Sequence, residues 1–150
     1  MRNFVVMFDK MPITRSSVKS GKNSPEVITA CRCINIGLFV SGDLRRDVTV
    51  SFAIGPENDL KVVSFPGASL KRVSPDERSI SFFLLKSIER VENLEPEESF
   101  TMDNGIELTR TSLEKLKDAW GSDVVKVPLL SPERFILDTN LAADDAEETP

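Results

Sequence analysis

Ser74-Pro75-Asp76-Glu77 sets a helix start at the centre of the chain, and that start constrains what lies on either side of it. Ser74 can act as N-cap, Pro75 suits the first helical position, and Glu77 stands where a capping box needs it. The helix is expected from Pro75 to about Leu94, with Ile80, Leu84, Ile88 and Val91 on one face and Phe83 alongside. A second start of this kind, Ser24-Pro25, opens a helix to about Val40, striped by Val27, Cys31, Ile34 and Leu38. Apolar segments at Asn3–Phe8, Val48–Ile54 and Leu60–Phe65 read as strands, the second half-buried by its alternation. Strand and helix therefore alternate at βαβ-like spacing, which predicts an α/β fold with a mostly parallel sheet flanked by helices.

The rest of the chain reads in the same way. Lys10–Ser24, rich in Ser, Lys, Pro and Gly, is expected to be a flexible basic loop, and Glu95–Gly105 an acidic one. Gly105–Thr109 suggests a short strand. Thr111 and Glu114 form another capping-box pair, ahead of a helix lined by Leu113, Leu116 and Trp120 and stopped by Gly121. Asp123–Leu130 and Arg134–Leu137 read as strands. Residues 1–140 are expected to form one α/β domain, and 141–150 an acidic disordered tail.

The charge is unevenly placed. The formal net charge is −5 over 150 residues. Four of the acids are Asp144, Asp145, Glu147 and Glu148, and without them the body carries −1. Residues 1–24 hold Arg2, Lys10, Arg15, Lys19 and Lys22 against Asp9 alone, while residues 91–109 hold six acids and no base. Such a chain can offer a basic face while remaining acidic as a whole. Histidine is absent, which removes the commonest general base and the serine–histidine and cysteine–histidine mechanisms. Cys31 and Cys33, two apart on a helix, point in different directions and are read as reduced thiols; without histidine they do not make a closed metal set. No apolar run approaches a membrane span, and the N-terminus reads as a first strand, so a cytoplasmic location is expected.

The chemistry concentrates at the central helix start. Lys71, Arg72 and Arg78 surround an N-terminus that already favours anions, so a phosphate-bearing partner is one reading and an ordinary capped helix with surface charges the other. The basic loop Lys10–Ser24 is a further contact candidate for a polyanion. Phe82 and Phe83, inside a regular helical stripe, read as core packing.

Several segments resemble a known family as strings. Cys31-Arg32-Cys33 and Phe39-Val40-Ser41-Gly42-Asp43-Leu44-Arg45-Arg46-Asp47-Val48 resemble the end of the first helix and the second strand of the archaeal tRNA pseudouridine N1-methyltransferases. Phe65-Pro66-Gly67-Ala68-Ser69-Leu70-Lys71-Arg72-Val73-Ser74-Pro75-Asp76-Glu77-Arg78 resembles the family's next signature more closely, and Gly105-Ile106 a third, weaker segment. The likeness covers roughly residues 1–125. It implies a SPOUT-class protein: α/β, with a C-terminal trefoil knot, usually a dimer, using S-adenosylmethionine to methylate N1 of a pseudouridine in the TΨC arm of tRNA. A sister group acts on ribosomal RNA. By carry-over, Arg72 and Arg78 would contact RNA, with Lys71 and Arg45 as further candidates. Arginine suits this role because its planar fork grips phosphate and stacks on bases.

The likeness also has departures. Counted back from Cys33 without gaps, the family's upstream Arg and Asp fall on Glu26 and Ile28. The family's cofactor pocket is built near the C-terminus from glycine-containing loops, whereas no glycine follows Gly121 here. The expectation is a SPOUT-like fold without the knot segment, whose cofactor site is missing from this chain alone. Three readings stand side by side: a tRNA methyltransferase, truncated or diverged; a non-catalytic RNA-binding paralogue; and a small α/β interaction module.

Overall fold

A computed structural model describes residues 2–40, 43–120, 125–128 and 135–138. Strand β1 (Arg2–Phe8) leads through α1 (Arg15–Ser20) and α2 (Pro25–Leu38) to a small ribbon, β2 (Phe39–Val40) and β3 (Asp43–Leu44). Strands β4 (Val48–Ile54) and β5 (Leu60–Pro66) precede the central helix α3 (Glu77–Val91). Then come β6 (Ser99–Thr101), β7 (Glu107–Thr111), α4 (Leu113–Trp120), β8 (Val125–Pro128) and β9 (Phe135–Asp138). Gly121, Ser41-Gly42 and the acidic tail 141–150 lie outside the described residues.

The α/β class is as expected, but the sheet is mixed. Its order is β6-β7-β5-β4-β1-β9-β8. Among the described residues only β1 and β4 run parallel, in register from Arg2 opposite Val48 to Phe8 opposite Ile54. The other ladders are antiparallel. The connections explain this correction: β1 reaches β4 through two helices, long enough for a parallel crossover, whereas β4 and β5 are joined by the short Gly55–Asp59 turn, which permits only a hairpin. Arg110 of β7 forks that turn, its Nε 2.8 Å from Asp59 Oδ1 and its Nη2 2.9 Å from Oδ2. The guanidinium holds the Asp59 carboxyl below its ordinary range.

Both faces of the sheet are covered. One carries the large core, where Val6, Phe8, Val50, Phe52, Val63 and Phe65 meet the stripes of α2 and α3. The other is smaller, with Val5, Met7, Ala53, Leu60 and Val62 against Leu113 and Leu116 of α4. β4 is therefore buried on both sides instead of half-buried, and its second face carries the small Ser51 and Ala53 where α4 approaches. Ser51 satisfies its hydroxyl against Ser64, 2.7 Å away.

Local chemistry sets the helix ends. Ser24 caps α2, accepting from Val27 N, and Pro25 takes the first turn as expected. The basic loop is partly helical: Thr14 and Ser17 close a reciprocal capping box, and Gly21 ends α1 at φ 74°. The central helix begins two residues later than its sequence suggests. Asp76, not Ser74, is its N-cap, accepting from Ser79 N at 2.8 Å. A charged carboxylate satisfies the first-turn donors and the helix dipole better than a hydroxyl. Glu77, freed from a capping box, accepts from Asn23 Nδ2 at 3.0 Å and ties the α1–α2 connection to α3.

This cap assignment has a direct check. Asp76→Ala should cost about 1 kcal/mol in a urea titration, whereas Ser74→Ala should change stability by less than about 0.5 kcal/mol.

Candidate nucleic-acid interface

The segment that bears the family likeness is held by backbone packing. Gly67 N–H donates to Val48 O at 2.8 Å. A Cβ at Gly67 would stand 1.8 Å from Arg45 O and 2.8 Å from Val48 O, so no other residue fits. Arg46 Nη1 donates to Gly67 O at 2.9 Å and to Leu70 O at 3.4 Å, closing the turn from above. On the far side Lys71 N–H donates to Asn104 O at 2.8 Å. Gly105, at φ 92°, brings its α-carbon so close that a Cβ would lie 2.3 Å from Ser69 O. Three stretches distant in sequence are thus locked together: Arg45–Val48, Pro66–Lys71 and Met102–Gly105.

Arg72 follows immediately and stands at φ 65°, in the left-handed region. That conformation costs a non-glycine residue about 1 kcal/mol or more. Arg72 is exposed and borders a cavity of 480 Å³ with Phe82, Phe83, Lys86, Arg90 and Phe100. Arg78, exposed on the first turn of α3, borders a second cavity of 540 Å³ with Arg15, Lys19, Phe82, Phe83 and Lys86. The two cavities share Phe82, Phe83 and Lys86, so Arg72 and Arg78 belong to one continuous surface.

The other two expected residues do not join them. Lys71 is exposed and borders neither cavity. Arg45 lies elsewhere, on a 510 Å³ hollow between α2 and the β1–β4 pair, with Arg2, Phe4, Arg32, Cys33 and Ile36. Glu26 and Ile28, where the family's Arg and Asp fall, are half-buried in the first turn of α2 and border none of these hollows.

Sequence reasoning missed part of this surface. Phe83 packs against the core as expected, but Phe82 is 44% exposed and Phe100 37%. Lys86 Nζ stands 5.6 Å from the centre of the Phe82 ring, and Arg90 Cζ 4.1 Å from that of Phe100. The available signal was the four-residue spacing of Arg78, Phe82, Lys86 and Arg90, which puts Phe82 in line with cations and off the apolar stripe.

Cys31 and Cys33 are both free thiols. Burial pushes the Cys31 thiol from 9.0 up to about 12, and the neighbouring Glu77 and Cys33 add to the shift. Cys31 Sγ approaches Glu77 O at 3.9 Å.

The chain belongs to an RNA methyltransferase family: residues 1–129 match the family described as "Putative SAM-dependent RNA methyltransferase". Among its curated relatives is the tRNA (pseudouridine(54)-N(1))-methyltransferase of Methanocaldococcus jannaschii, 32% identical over 99% of this chain and 81% of the relative. The protein of that name from Haloferax volcanii is 31% identical over 86% of this chain and 65% of its own length. That of Methanococcus maripaludis strain C5 is 51% identical over a shorter match, 40% of this chain and 31% of the relative.

The methyl donor in the family's description can be set against the described residues. A donor pocket needs backbone open to close approach by a ligand. The two tightest such places, Gly67 and Gly105, face the chain's own backbone. The hollow beside α2 is lined mostly by apolar residues, with Arg2, Arg32 and Arg45 among them, whose charge opposes a sulfonium. Among the described residues, the arginine-bordered hollows offer positive charge more suited to an anionic group than to a sulfonium.

Two outcomes test the packing described here. Gly67→Ala should cost about 3 kcal/mol in denaturant unfolding, whereas Gly21→Ala, also at positive φ but with nothing within 4 Å, should cost about 1 kcal/mol. At pH 8 an alkylating reagent should modify Cys33 about tenfold or more faster than Cys31, because a raised pKa leaves little thiolate and burial blocks access. Equal rates by mass spectrometry would contradict the burial.

Proposed function

We propose that the protein takes part in methylation of tRNA at N1 of a pseudouridine in the TΨC arm, in the cytoplasm, with S-adenosylmethionine as methyl source. The surface between α1, α3 and β6 serves as its RNA grip. The names of the relatives support the reaction. The observation that carries the RNA contact is the convergence of Arg72 and Arg78 on adjoining hollows that share Phe82, Phe83 and Lys86. Arg72 stands in the left-handed region, directly after Lys71, whose N–H is tied to Asn104 O. Arg78 projects from the first turn of α3, whose N–H groups favour a phosphate. Lys71, exposed but bordering neither hollow, would contact RNA only beyond them. Arg45, on a separate hollow, would contact RNA only if the nucleic acid also reached α2.

A second reading, an RNA-binding protein without transfer activity, is favoured by Ile28 at the position where the family's Asp falls. A hydrocarbon there can neither accept a proton nor orient a uracil ring. Transfer of labelled methyl from S-adenosylmethionine to a tRNA containing pseudouridine, but not to one with uridine in its place, would establish the first reading. Binding of that tRNA without transfer would establish the second.

Both readings require the same contacts. Arg72→Ala and Arg78→Ala should each weaken tRNA binding on the order of tenfold and reduce the magnitude of its salt slope by about 1. Unchanged filter-binding titrations for both variants would remove the RNA assignment.

A further inference from the structure

We propose that the α3–β6 surface binds unpaired nucleotides, with Phe82 and Phe100 as the rings on which bases stack; this rests on the RNA reading given above. The starting observation is that the two rings face solvent, 44% and 37% exposed, beside Arg72, Lys86 and Arg90. The apolar stripe of α3 is Ile80, Leu84 and Val91, and Phe82 lies off it. Packing therefore does not account for a phenylalanine there.

The placement is ordered. Arg78, Phe82, Lys86 and Arg90 recur every four residues and form one line along the helix, about 18 Å long at the helical rise. Phe100 reaches over from β6 to the end of that line, under Arg90. The Phe82 ring is braced nearly edge-on by Phe83, with centres 5.2 Å apart, and Phe83 itself packs on the core. Phe82 is thus a fixed platform. Arg15 and Lys19 border the surface on the α1 side, and Arg72 borders it at the signature loop. The only carboxylates among the residues bordering these two hollows are Asp76 and Asp103, and Asp76 is engaged in capping Ser79.

Cations interleaved with exposed rings suit a single strand: phosphates meet the cations and bases meet the rings. A duplex buries the faces of its bases and would leave both rings without a partner. An acidic polypeptide would satisfy the cations and leave the rings in the same condition. On binding, a base replaces the cation over each ring, and Lys86 and Arg90 turn to phosphate. An exposed cation–ring contact is weaker than a base stack, so the exchange runs forward.

The test is fluorescence anisotropy with a labelled single-stranded RNA and with the same strand annealed to its complement, at fixed salt. The single strand should bind more tightly. Phe82→Ala and Phe100→Ala should each weaken it about tenfold, with the salt slope unchanged and duplex binding little affected. Phe82→Trp, which keeps a platform, should retain wild-type affinity, and 2-aminopurine in the strand should change its emission on binding the wild type but less with Phe82→Ala. If the phenylalanine variants bind like the wild type while Arg72→Ala and Arg78→Ala still weaken binding, stacking is overturned and the RNA reading survives. Equal affinity for duplex and single strand, or equal competition by polyglutamate, would also overturn it. Failure of the wild type to bind either RNA would remove both.

Discussion

The approach of Gly67 to the backbone of Arg45 and Val48 is the contact on which the functional surface depends. It seats the Pro66–Leu70 turn against the start of β4 and leaves no room for a side chain. Arg46 then closes the turn by donating to two of its carbonyls. With that turn fixed, Lys71 meets Asn104, and Arg72 follows in the left-handed region.

The elements and the surface draw on different kinds of information. The sheet and its two covering layers exist because apolar stripes must be buried, and burial is all that local pattern encodes. The surface consists of residues that burial leaves over. Arg78, Phe82, Lys86 and Arg90 share a line because they share a helix, but the meeting with Arg72 and Phe100 requires the loop and the edge strand to arrive from elsewhere.

This explains how much could be read from the sequence. The cap at Ser24, the stripes of α2 and α3 and the alternation of strand and helix were legible, since each is a local pattern with a local cause. The choice between Ser74 and Asp76 was not, because both can cap and their context decides. Strand direction was not legible either: the crossover through α1 and α2 encodes the parallel β1–β4 pair, but the partners of β7 and β9 follow from long-range pairing. The basic loop hid a helix because Thr14, Ser17 and Gly21 are loop residues by composition and capping residues by position. Arg72 and Arg78 were singled out by the charge around a helix start and then by a likeness of strings, whereas Phe82 was misplaced because adjacent phenylalanines look alike in sequence and only one faces inward.

The surface around Phe100 has walls of unequal stiffness. α3 is anchored by a buried stripe along its length, while β6 has three residues, all exposed, and among the described residues pairs only with β7. A short margin of this kind discourages edge-to-edge association between copies of the protein. It also gives the hollow beside Phe100 one wall anchored in the core and one at the margin of the sheet.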